Sequence, residues 1–143
     1  MNRLIVVALF LPLTCLARLG DSSSQLESRY GRCQGRNGIL YFYRAEGYTF
    51  EAVMIDGKCE AFFISHNDKS KLSDIEIDTF LKKNGRDFRL IDGPSPDTMY
   101  WRDSYSGNEA SYRQTSCSLQ FVSKKAQSID PEEADTKAKT DRF

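Results

Sequence analysis

One histidine, one tryptophan, four prolines and four cysteines are all that this 143-residue chain holds of those types. Each scarcity excludes something. A lone His66 and well-separated thiols offer no close pair of ligands, so neither a metal site nor another cofactor is expected. Charge of one sign is also missing, with 20 basic residues balanced by 20 acidic ones. That balance gives no sign of the positive footprint a nucleic-acid binder needs, and nucleic acid is not an expected partner. Nor does the chain carry an apolar run of the roughly 20 residues that span a bilayer as a helix. No integral membrane segment is therefore expected once the leader is removed.

What is present starts at the N-terminus. Arg3 supplies a positive charge, Leu4 to Leu13 is almost unbroken apolar sequence, and Cys15-Leu16-Ala17 provides small residues before a cut. That order predicts a secretory signal peptide over residues 1–17, hence an exported, periplasmic or secreted protein. Pro12-Leu13-Thr14 matches poorly what lipoprotein processing prefers before Cys15. The remainder is long enough for one ordinary domain and too short for two. Removing Cys15 leaves Cys33, Cys59 and Cys117, an odd number. One disulfide could form from these three in an oxidising compartment, and the sequence does not choose the pair.

Two short patterns recur in the same order. Leu19-Gly20-Asp21 through Tyr30-Gly31 is echoed by Leu72-Ser73-Asp74 through Asn84-Gly85. Cys59, Phe63, Ile64 and Ser65 are echoed at a constant offset by Cys117, Phe121, Val122 and Ser123. The expectation is a duplicated α+β domain over residues 18–123, with units 19–65 and 72–123. Each unit reads as a helix plus an antiparallel hairpin, the two in tandem forming a sheet with helices on one face. The tail, 124–143, is charged and poor in apolar residues, and reads as a marginal helix or a disordered extension.

Ser73 and Glu76 form a capping box, Leu72 and Ile77 flank it, and Ile77, Phe80 and Leu81 make one apolar stripe. Gly85 stands where a left-handed helix end is wanted. In the first unit Ser22 and Gln25 cap, Leu26 and Tyr30 share a face, and Gly31 ends the helix. A strand at Ile39 to Tyr43 turns through Ala45-Glu46-Gly47 into a hairpin whose own turn is Asp56-Gly57. An uninterrupted register pairs Met54 with Cys59, Ala52 with Ala61 and Phe50 with Phe63 on an apolar face. Val53, Ile55, Phe62 and Ile64 then share the other face with Glu51, Lys58 and Glu60. The second hairpin, carried over by the repeat, pairs Tyr112 with Cys117 and Ala110 with Leu119. Gln114-Thr115 replaces Asp-Gly there, so its turn is expected to be longer or bulged. Arg86 to Asp97 reads as a loop, followed by a strand at Thr98 to Arg102.

Candidate functional residues are few. His66, in the polar run His66-Asn67-Asp68-Lys69, has no nucleophile beside it in sequence and reads as a solvated loop histidine. Asp74, Glu76 and Asp78 lack the glycine of a calcium loop and fit the first turn of a helix, whose dipole they stabilise. Tyr100 and Trp101 form an aromatic pair at home in a strand or at a binding surface. Val53, Ile55, Phe62 and Ile64 make an apolar patch of the kind that marks a contact surface.

The stretch "YFYRAEGYTFEAVMIDGKCEAFFIS", with the Leu-Gly-Asp helix start and Tyr-Gly helix end before it, resembles the β-lactamase-inhibitor-protein-like group, which includes the small lipoprotein of the outer-membrane barrel-assembly machine. The chain also resembles an uncharacterised exported bacterial family sharing the "RLG…RYG" opening and the "DGK" hairpin. The likeness covers Leu19 to about Ser123. It implies helices against an antiparallel sheet, in two tandem units, and a non-enzymatic protein-binding or adaptor module acting outside the cytoplasm on an unknown protein partner. The alternatives are a small secreted hydrolase or transferase using His66, and a passive envelope protein.

Overall fold

Both helices begin where their capping boxes put them. Ser22 accepts a hydrogen bond from the Gln25 N–H, and the Gln25 side chain accepts one from the Ser22 N–H, opening α1 (Ser23–Tyr30). Ser73 and Glu76 do the same for α2 (Asp74–Asn84). Each box satisfies two backbone donors that a helix start leaves free. Gly31 ends α1 at a φ of 81°, a positive value that glycine adopts without a Cβ clash. Gly85 does not: its φ of −165° is extended backbone. Close approach explains this glycine, since a Cβ there would lie 2.5 Å from the Phe88 ring.

The computed structural model describes residues 18–128, so the expected signal segment and residues 129–143 of the tail lie outside the described residues. Within them the chain forms eight strands: β1 (Gly35–Asn37), β2 (Leu40–Ala45), β3 (Tyr48–Ile55), β4 (Lys58–His66), β5 (Phe88–Ile91), β6 (Thr98–Asp103), β7 (Glu109–Arg113) and β8 (Ser118–Val122). They lie in one antiparallel sheet in the order β1-β2-β3-β4-β8-β7-β6-β5.

That sheet corrects the expected fold class. The molecule is not a pair of tandem helix-plus-hairpin α+β units; it is a β-rich fold, one continuous eight-stranded sheet bearing two short helices. Two observations make the difference. Residues 35–37 and 88–91, the latter read as loop, pair as edge strands β1 and β5. In addition, β4 pairs directly with β8 through Phe62 and Phe121, so the halves share one ladder. No described helix is long and apolar enough to cross a membrane.

A β-bulge overturns the expected register of the first hairpin. Asp56 and Gly57 form the turn with φ of 50° and 75°, and Ile55–Lys58 and Met54–Cys59 pair as expected. The register then slips by one, so that Val53 faces Ala61, Ala52 faces Phe62 and Phe50 faces Ile64. Glu60 is the extra residue. Its neighbourhood shows why the ladder breaks there: the Cys59 carbonyl accepts from Gly20 N–H at 2.7 Å, and the Cys59 N–H donates to the Asp21 carbonyl at 2.8 Å. The Glu60 carbonyl in turn accepts from Ser123 N–H at 2.8 Å. Because side chains alternate along a strand, one added residue moves Phe62 and Ile64 to the helix side and Phe63 to the opposite side. Phe62 and Ile64 are fully buried. The expected patch of Val53, Ile55, Phe62 and Ile64 therefore does not exist as a unit.

The second hairpin slips by two residues instead, which preserves its faces. Tyr112 pairs with Leu119 and Ala110 with Phe121, while Cys117 lies in the turn at φ 51°. Both helices pack on the same side of the sheet. Leu26 and Tyr30 of α1 and Ile77, Phe80 and Leu81 of α2 share one apolar cluster with Tyr43, Phe50, Phe62 and Phe121. Tyr30 stacks on Phe50 at 4.1 Å between ring centroids, and Phe62 on Phe121 at 4.8 Å. Burying each such ring contributes about 2–3 kcal/mol.

Two rows of side chains run across the other face. One runs Leu40, Val53, Ala61, Val122, Glu109, Arg102, Arg89; the next runs Phe42, Glu51, Phe63, Gln120, Ser111, Tyr100, Ile91. Neither helix joins the cluster from this side. Beyond β8, residues 126–128 form a single 3₁₀ turn, held near the bulge by Ser123, whose Oγ donates to Glu60 Oε2 at 2.5 Å and accepts from the Ala126 N–H at 3.0 Å.

Candidate functional site

A polar cluster sits where the β2–β3 turn, the end of β4 and the start of α2 converge. His66 is the last residue of β4, so its ring stands at the end of the strand beside Tyr48, the first residue of β3 and its cross-strand partner. The two rings lie 5.1 Å apart. The expectation of a solvated loop histidine is corrected: the His66 side chain is only 22% exposed and is held at both nitrogens. The Nε2 lies 2.6 Å from Glu76 Oε1 and the Nδ1 lies 2.7 Å from Ser70 Oγ.

Glu76 is the hub. One oxygen, Oε2, accepts from the Ser73 N–H at 2.7 Å in the capping box. The other, Oε1, accepts from the Tyr48 hydroxyl and faces His66. Burial pushes this carboxyl up, but hydrogen bonds from Tyr48, the Ser73 backbone and His66 outweigh it and hold the group down at about 2. Glu76 is thus a carboxylate at neutral pH. Burial first, and then its bond to Glu76, push the Tyr48 phenol up to about 12, so Tyr48 stays protonated.

On the far side of the imidazole, Ser70 Oγ lies 2.6 Å from Asp68 Oδ1, and the Ser70 N–H donates to the same oxygen at 2.9 Å. The Ser70 hydroxyl has one proton and stands between two acceptors, the Asp68 carboxylate and His66 Nδ1. These groups line an open cleft together with Glu46, Gly47 and Asn67. Asn67 Oδ1 is taken by the Thr49 hydroxyl at 2.7 Å.

Chemically, this is a hydroxyl, an imidazole and a carboxylate linked in series. A carboxylate that accepts from Nε2–H leaves Nδ1 as the basic nitrogen, the arrangement that activates a serine for attack. Sequence reasoning missed it for two reasons. Glu76 was fully explained by its helix cap, and the partners Tyr48, His66 and Ser70 come from separate elements. The one available signal was Ser70, four residues beyond His66.

No family model matches the chain. Likewise no curated protein and no solved structure matches it. The resemblance to the β-lactamase-inhibitor-protein-like group thus rests on its short motifs alone.

The remaining sequence candidates separate. Val53 and Ile55 are half-buried on the face away from the helices, whereas Phe62 and Ile64 belong to the core. Tyr100 and Trp101, adjacent in sequence, point to opposite faces. Trp101 packs against the core, while Tyr100 lies under the preceding loop, where a Cβ on Gly93 would come within 1.8 Å of its ring. Cys33, Cys59 and Cys117 are all free thiols. Each donates to a backbone carbonyl, of Gly35, Ala61 and Gln114 respectively. Cys59 is wholly buried, and burial pushes its thiol up to about 12. Among the described residues no group of three His, Cys, Asp or Glu side chains is placed to hold a metal.

Proposed function

We propose that this is an exported binding module that meets a protein partner with the sheet face its helices leave open. One observation carries the reading. The register brings Leu40, Phe42, Val53, Phe63 and Val122 into neighbouring positions across β2, β3, β4 and β8, with Glu51 set between the two phenylalanines. A sheet that only needed solvation on that side would carry polar residues there, as its β6–β7 end does with Glu109, Arg102 and Ser111. Contiguous apolar positions rimmed by charge fit a protein contact instead. Glu51 supports a partner surface that pairs apolar side chains with a basic group. Export rests on the order of charge, apolar run and small residues at the N-terminus.

The test is site-specific photo-crosslinking in native envelopes. A photoreactive residue at Val53 or Phe63 should capture one discrete species, competed by unlabelled protein and lost with Phe63→Asp. The same probe at Lys82, exposed on α2, should capture none. An identical pattern from Lys82, or no discrete species from either open-face position in a folded protein, refutes the reading.

A further inference from the structure

The cluster on His66 is separate from the open-face apolar positions and supports an activity of its own. We propose that Ser70 is a nucleophile for acyl transfer, with His66 as its general base and Glu76 as the residue that positions the imidazole. The inference does not depend on the binding reading.

The geometry has the parts that such chemistry requires. Ser70 is exposed at the cleft, so a substrate can reach its hydroxyl. Its Oγ is 2.7 Å from His66 Nδ1, within reach for direct proton transfer. The imidazole is in turn 2.6 Å from the Glu76 carboxylate, which fixes the ring and stabilises the imidazolium that forms. Tyr48 holds that carboxylate from a second direction, so the orienting group is itself oriented. Asn67 lines the same cleft, and with its Oδ1 occupied by Thr49 its amide N–H₂ is the donor we assign to an oxyanion.

The step balances without a cofactor. Ser70 Oγ forms a bond to an ester carbonyl carbon while its proton passes to His66 Nδ1. The tetrahedral adduct collapses, the carbon–alkoxide bond breaks, and the alcohol leaves with the proton from His66. Water then attacks the acyl-serine by the same proton route, releasing the acid and restoring Ser70. Carboxylates of Glu46, Asp68 and Glu76 surround the cleft. They disfavour anionic substrates, so the substrate class is a small ester with a neutral or cationic alcohol.

Asp68 is the competitor. Its Oδ1 holds the Ser70 hydroxyl at 2.6 Å and must release it before His66 can take the proton.

A fluorophosphonate probe on the exported protein, read by intact mass and peptide mapping, tests the array. The expected result is one adduct on Ser70, formed about 100-fold more slowly in His66→Ala and restored in that variant by added imidazole. Ser70→Ala should take no label while keeping its circular dichroism spectrum. Asp68→Ala should label faster, because the competing acceptor is gone. Absence of an adduct in the folded wild type, an adduct at another residue, or labelling of His66→Ala at the wild-type rate would overturn the proposal. Slower labelling of Asp68→Ala would assign the proton to Asp68 and overturn it as well.

Discussion

Truncating Phe62 and truncating Phe63 should differ several-fold in cost, although the residues are neighbours in one strand. Phe62 is wholly buried and stacked on Phe121 with ring centroids 4.8 Å apart. Phe62→Ala removes that contact and leaves a cavity between the two halves of the sheet, at a cost of about 3–5 kcal/mol. Against a total stability of about 5–15 kcal/mol, this is a large fraction. At about 4 °C per kcal/mol for a domain of this size, the midpoint should fall by about 12–20 °C. Phe63 lies half-buried on the face without helices. Losing roughly half of a phenylalanine's apolar burial there costs only about 1 kcal/mol. Urea denaturation of the two variants, with wild type and a common slope, measures both. The uninterrupted hairpin register predicts the reverse order, so a costly Phe63→Ala beside a mild Phe62→Ala would remove the bulge at Glu60 and the assignment of faces built on it.

Two further outcomes follow from the same geometry. Glu76 ionises near 2 in the folded protein against 4.5 for a free glutamate, so its contribution is complete above 4.5 and is lost as pH falls toward 2. Glu76→Gln should therefore cost about 1–2 kcal/mol at pH 7, after allowance for solvent screening of a side chain 25% exposed, and the gap to wild type should close in urea titrations repeated near pH 2. Cys59, buried with its thiol pushed up to about 12, should resist alkylation in the native protein while the half-buried Cys33 and Cys117 react. Peptide-resolved mass spectrometry after a short iodoacetamide pulse reads each of the three sites, and equal labelling of Cys59 would place it outside the core.

Signals of short range were readable in advance. Both capping boxes and the Asp56-Gly57 turn depend on residues no more than a few positions apart. The alternation that buries Phe50 and Ala52, or Ala110 and Tyr112, is equally local. Events of long range were not readable. The slip at Glu60 is driven by Gly20, Asp21 and Ser123, which compete for the backbone of Cys59 and Glu60 from distant parts of the chain. One such slip was enough to exchange the two faces of β4 from Ala61 to His66, and with it the composition of the contact face.

The cluster around His66 divides in the same way. Its helix-capping half, Ser73 with Glu76, is written in four consecutive residues and needs no tertiary contact to form. Its other half exists only because the sheet carries Tyr48 and His66 to the start of α2, leaving one carboxylate oxygen to cap the helix and the other to meet the ring. Local chain sterics and alternating polarity thus determined both helices and the central strands, whereas the edge strands β1 and β5 exist through their pairing. Which strands became neighbours, which face of β4 was buried and which groups met at the cleft were decided by packing and by backbone hydrogen bonds between remote segments, because those energies exist only once the chain has closed on itself.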